Sequence, residues 1–139
     1  MATFQKFNQF VEDLAKGVHN LSTGQLKVAL TNTAPVAANS VYADLTSPLA
    51  TTNLSGATPF NVTTTSAEQT SGTLSLVLAD LTLTATGSVG PFRYVVLYND
   101  TPTSPADPLI GFYDYGSSVT MANTETFLID FASTTITIA

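Results

Sequence analysis

The chain has 139 residues, 44% of them hydrophobic and only 10% charged, with ten acidic side chains against four basic ones and no cysteine. That size and apolar content suit one domain with one core, and the missing thiols exclude disulfides and thiolate sites. Lys6, Lys16, Lys27 and Arg93 are too few to neutralise a run of phosphates, which argues against direct nucleic-acid binding and against an anionic membrane surface.

Ser and Thr stand where charged residues usually solvate a surface, and β-branched Thr suits a pleated strand better than a helix. The first element departs from this. Phe7, Phe10, Val11, Leu14, Val18 and Leu21 recur at spacings of three and four, which predicts one amphipathic helix over residues 1–21. Thr3 is its expected N-cap, Lys16 suits the negative end of the dipole, and Gly17 ends or kinks it. Its stripe, with Phe4, Phe7, Phe10 and Leu14 as candidate protein-contact residues, is expected to cover an open edge or face of a sheet. The same stripe offers a docking face to a neighbouring chain.

From Gln25 the period changes to two. Leu26, Val28 and Leu30 alternate against Lys27, Ala29 and Thr31 in a strand that ends at Thr33-Ala34-Pro35. Residues 34–72 are rich in Thr, Ser, Ala, Asn and Pro, with short strands expected at 41–44 and 60–64. So long and weakly patterned a segment is more often functional than idle. It is taken as an extended contact arm, with Tyr42, Leu49, Leu54 and Phe60 as its candidate contact residues.

Across residues 73–86 the apolar phase runs through Leu74, Leu76 and Leu78, then shifts to Leu81, Leu83 and Ala85. A strand cannot change face in mid-course, so a bulge or bend near Ala79-Asp80 is required, and two sheets share this stretch. After a Gly/Pro turn, residues 92–98 are apolar on both faces, as a central strand should be. A Pro-rich loop leads to its expected partner at 109–115. Phe127, Ile129 and Phe131 share a face in a strand at 125–131, and Ile136 and Ile138 point inward in a last strand at 134–139. About eight short strands predict a mainly β fold in one domain over 1–139: a β-sandwich over 25–139, antiparallel, jelly-roll or Ig-like, with one N-terminal helix.

Chemistry is sparse. His19 is the sole histidine, so neither a transition-metal site nor a nucleophile dyad can be assembled around it, and it reads as a surface or capping residue. Asp100, Asp107, Asp114 and Asp130 lie in or beside the late loops. They are the oxygen donors a calcium ion needs, but they match no ligand spacing and read as solvated turn carboxylates. Nothing supports a glycosidase pair. No catalytic, cofactor or metal residue is assigned, and no enzyme is expected. Arg93, in the strand judged most buried, should pair with a carboxylate inside the domain or across an interface. Tyr42, Tyr113 and Tyr115 are the tyrosines a carbohydrate or receptor binder would use.

Four segments, 7–14 (FNQFVEDL), 26–35 (LKVALTNTAP), 90–100 (GPFRYVVLYND) and 108–116 (PLIGFYDYG), together resemble a family of small structural proteins of tailed bacteriophages. The blocks run in order across nearly the whole chain and contain no catalytic motif. The resemblance implies a virion component, foremost a head decoration (cement) protein that binds and stabilises the shell of major capsid protein, with a tail or fibre part as the alternative. Residues 46–72 look more variable, so no partner specificity is carried over there. Self-association as a homotrimer is the expectation from closed symmetry. With no basic n-region and no apolar run of signal-peptide length, the chain is expected to be made in the bacterial cytoplasm and to end on the capsid surface.

Overall fold

The computed structural model describes residues 2–133 and 135–139. In chain order the elements are β1 (Gln5–Lys6), α1 (Asn8–Ala15), β2 (Leu26–Thr31), β3 (Asn61–Val62), β4 (Thr64–Thr70), β5 (Thr73–Leu78), β6 (Leu81–Thr84), β7 (Val89–Asn99), β8 (Leu109–Met121), β9 (Thr126–Ile129) and β10 (Ile136–Ile138). Every pairing between them is antiparallel. A five-stranded sheet runs β1-β8-β7-β2-β3, a three-stranded sheet runs β10-β5-β4, and β6 pairs with β9. The mainly β, antiparallel, sandwich-like class with one N-terminal helix is the class expected.

The layers follow from alternation along the strands. Leu26, Val28 and Leu30 of β2, Val95 and Leu97 of β7 and Ile110 of β8 share one core with Leu76 and Leu78 of β5, Leu83 of β6, Ile129 of β9 and Ile136 of β10. The intervening residues Ala29, Val96, Tyr98, Leu109 and Phe112 form a second apolar cluster with Phe7 and Leu45. Strand β7, between β8 and β2, is therefore the doubly buried central strand, with Val96 and Leu97 at most 1% exposed. Each large apolar side chain enclosed this way contributes roughly 1.5–3 kcal/mol of transfer free energy.

The N-terminal helix is shorter than the expected 1–21. Phe7, extended at φ −79° and ψ 152°, occupies the N-cap position, and Thr3 caps nothing. Gln5 and Lys6 pair instead with Phe112 and Gly111, and the Phe7 N–H donates to the Ile110 carbonyl at 3.1 Å. The edge of β8 outcompetes the helix because its backbone groups would otherwise lie unpaired. Gly111 permits the approach: a β-carbon there would stand 2.6 Å from the Gln5 carbonyl oxygen. At the other end Gly17, at φ +75°, terminates the helix as expected. Val18 and Leu21 lie beyond it.

The phase shift at Ala79-Asp80 separates β5 from β6, and the two strands enter different sheets. The Asp80 carboxylate holds the bend by accepting the Phe131 N–H at 2.9 Å. The expected arm at 34–72 is not a free extension. Its first half wraps the second apolar cluster: Val41 bridges Pro108, Tyr42–Asp44 form a single 3-10 turn, and Leu45 is buried. Its second half supplies β3 and β4, and β4 continues into β5 through Ser71 and Gly72, at φ +52° and +84°. Positive φ at both central residues is the turn that matches the twist of a two-residue hairpin. Strand β4 (TTSAEQT) carries no apolar alternation, so its pairing comes from the hairpin rather than from its own pattern.

Candidate functional site

The eight candidate contact residues divide by burial. Phe7, Phe10, Leu54 and Phe60 are core residues, each at most 9% exposed, which corrects their assignment as contact residues. Phe7 packs 5.3 Å from the Phe112 ring on one side of the five-stranded sheet, and Phe10 packs 5.2 Å from His19 on the other. The single stripe is thus divided between two cores. Phe4 is half-buried edge-on to Tyr113, and Leu14 is half-buried against the main core. Tyr42 and Leu49 are half-buried and remain partly accessible.

Tyr42 and Leu49 meet in a cleft of about 350 Å³ whose walls include Lys27, Thr51, Thr58, Asn61 and Tyr98. The register of β2 against β7 sets Lys27 opposite Tyr98. The segment before the 3-10 turn is tied to the Pro-rich loop: the Tyr42 N–H donates to the Asp107 carbonyl at 2.9 Å, and the Leu109 N–H donates to the Ser40 carbonyl at 3.0 Å. These ties hold the Tyr42 ring 5.0 Å from that of Tyr98. Across the cleft the Leu49 N–H donates to the Leu30 carbonyl at 2.8 Å and the Asn61 N–H to the Thr58 carbonyl at 3.1 Å.

The Lys27 ammonium lies 3.0 Å from Asp100. Burial pushes the Asp107 carboxyl above the usual range, and the neighbouring Asp100 carboxylate adds to the shift. Burial likewise raises the Tyr98 hydroxyl, with Tyr42, Asp100 and Asp107 contributing, and raises the Tyr42 hydroxyl with help from Asp107. Both phenols therefore stay protonated through neutral pH and remain hydrogen-bond donors. The Asn61 side-chain oxygen is buried without a hydrogen-bond partner. A concave site with mixed polar and apolar walls and several perturbed groups is the usual form of a small-ligand site. Of this constellation only Tyr42, Leu49 and Phe60 were singled out as contact residues. The signals for the rest were Lys27 as the one charged residue of β2 and two aspartates within a Pro-rich loop.

The remaining singled-out groups lie elsewhere. His19 is buried, not superficial, because it fills the space between Phe10 and the end of β7. Its Nδ1 lies 3.3 Å from the Asn99 amide nitrogen, and burial lowers its pKa against the opposing charge of Asp13. Arg93 makes a two-pronged pair with Asp114 at 2.8 and 3.0 Å, within the chain. Asp100 and Asp107 are neighbours, but Asp114 belongs to Arg93 and Asp130 borders a different hollow. Among the described residues no group of three or more His, Asp and Glu side chains converges.

That other hollow, of about 150 Å³, lies between β8 and β9 and is lined mainly by Tyr113, Tyr115, Phe127 and Leu128. Tyr115 and Leu128 are both 55% exposed, and the Tyr115 and Phe127 rings are 5.3 Å apart. Adjacent exposed apolar side chains of this size mark contact surfaces more often than isolated ones do.

Comparison with family models, with curated proteins and with solved structures finds no match.

Proposed function

We propose that this chain is a structural protein of a tailed-bacteriophage particle, a head decoration protein that binds the major capsid protein and stabilises the shell without catalysing a reaction. The observation that carries the proposal is the apolar hollow at β8 and β9, where Tyr115 and Leu128 stand exposed beside Tyr113 and Phe127 on strands anchored by the main core. A rigid strand surface of this kind loses little conformational entropy on docking. The ordered resemblance of segments 7–14, 26–35, 90–100 and 108–116 supplies the particle context. An excess of six negative charges would keep a densely covered shell soluble. Three copies about a local threefold axis, each made in the host cytoplasm, complete the proposal.

Image reconstruction of the particle tests it. Density for the chain repeated over the capsid lattice is the expected result, and density confined to the tail would transfer the protein to the tail or fibre apparatus. Tyr115→Ser with Leu128→Asp should reduce occupancy on purified shells while leaving the fold intact, as judged by circular dichroism. Full occupancy in that double variant would remove the hollow from the contact.

A further inference from the structure

We infer that the cleft between Tyr42, Lys27, Thr58 and Tyr98 is a binding site for a neutral saccharide. Among the described residues that line the cleft Lys27 alone is charged and no carboxylate is present, so an ammonium or guanidinium ligand would lose its hydration without meeting an opposite charge in the wall. An anion finds no free positive charge to compensate it, because Asp100 already holds the Lys27 ammonium at 3.0 Å and Asp107 lies beside Asp100. A ligand without net charge avoids both penalties.

Hydrogen-bonding character narrows the class further. Lys27 donates only, while Thr51, Thr58 and Tyr98 each carry a hydroxyl that both donates and accepts, and Asn61 adds an amide to the same wall. A vicinal pair of sugar hydroxyls has the same dual character and satisfies donors and acceptors together. The rest of the wall is apolar: Leu49, Pro59, Phe60 and the tyrosine rings, with Tyr42 and Tyr98 centred 5.0 Å apart. A pyranose needs such a wall for its C–H face, whereas a wholly polar ligand would leave it unused. At about 350 Å³ the cleft falls at the lower end of small-ligand sites, the size for one or two sugar rings. Its walls come from β2, β7 and the segment around residues 42–61, all tied by backbone hydrogen bonds, so little ordering is needed on binding.

The inference stands apart from the particle role, since sugar binding and shell attachment are read by different assays and either can fail alone. The test is a titration of the isotope-labelled full chain, followed by amide chemical shifts, with glucose, galactose, N-acetylglucosamine and their β-linked disaccharides. Glucosamine and glucuronate serve as charged counterparts. Saturable shifts at Lys27, Thr58, Asn61 and Tyr98 with at least one neutral sugar are expected, with weaker or absent shifts for its charged analogue. Tyr42→Leu should weaken binding at least about tenfold, and Lys27→Met at least about threefold, with spectra otherwise native. Thr58→Val, the mildest change, keeps the test valid if either of the others fails to fold. Absence of shifts at these amides with every neutral sugar overturns the inference, as does stronger binding of a charged analogue or undiminished affinity in all folded variants.

Discussion

Replacing Phe7 by alanine tests how the N-terminal stripe acts. Phe7 is fully buried, precedes the helix at its N-cap position, and packs against Phe112 in the cluster formed by Ala29, Leu45, Val96, Tyr98 and Leu109. Its loss removes a whole aromatic ring from a site walled by strands, which cannot collapse far, and the expected cost is about 3–5 kcal/mol. Because Phe7 lies outside the helical residues, helix propensity does not enter. For a chain of 139 residues the unfolding entropy is about 0.3 kcal/mol/K, so Tm should fall by about 10–17 °C. Val11, one helix position past Phe10 and 52% exposed, is the control: Val11→Ala should change stability by less than about 0.5 kcal/mol. Phe10→Ala acts on the opposite side of the sheet, so its cost should add to that of Phe7→Ala in the double variant. Thermal unfolding followed by circular dichroism reads the native chain and its four variants. A drop of less than about 3 °C for Phe7→Ala would refute the assignment of Phe7 to the core.

Gly111→Ala should push β1 off the sheet edge while β8 stays paired with β7, because the added carbon meets the Gln5 carbonyl and the Phe4 ring. Faster hydrogen exchange at the Phe7 amide, with central β7 amides still protected, is the expected signature. The lowered pKa of buried His19 makes the unfolded chain bind its proton first on acidification. Stability should therefore fall as pH drops below about 6.5, by at most ~1.4 kcal/mol per pH unit, until the folded-state histidine also protonates. Denaturant unfolding across that range should show the slope in the native chain and lose it in His19→Gln. Burial, aided by the charge of Asp130, pushes the Tyr113 hydroxyl up to about 12. An ultraviolet titration should show a phenol ionising near that value, the step should vanish in Tyr113→Phe, and the stability tied to it should be lost as pH rises above the unfolded value of about 10.

Much of the fold could be read residue by residue. Alternation in Leu26, Val28 and Leu30, double-faced apolarity at 92–98, and the phase shift between Leu78 and Leu81 each reflect a local geometric requirement that a strand imposes on its own sequence. The paired carboxylate expected for Arg93 is Asp114, on the neighbouring strand. Three things escaped that reading. Gln5 and Lys6 have helix-compatible spacing, yet an open sheet edge captured them. Strand β4 lacks alternation because its stability comes from a hairpin turn and from pairing with β5. The cleft joins residues from Lys27 to Tyr98, and no local pattern links them.

Composition and periodicity alone establish that this chain is β-rich, where its central strand lies, where one strand bends between two sheets, and that it carries a Phe-rich start ended by a glycine. Those properties depend on period and on φ, which neighbouring residues set among themselves. Tertiary structure decided which phenylalanines are core, that His19 is enclosed, and that Tyr42, Lys27 and Tyr98 surround one cleft. Burial and proximity depend on strand register and on what covers each face. Both are set by pairings between segments tens of residues apart, with Lys27 opposite Tyr98 as the instance on which the candidate site depends.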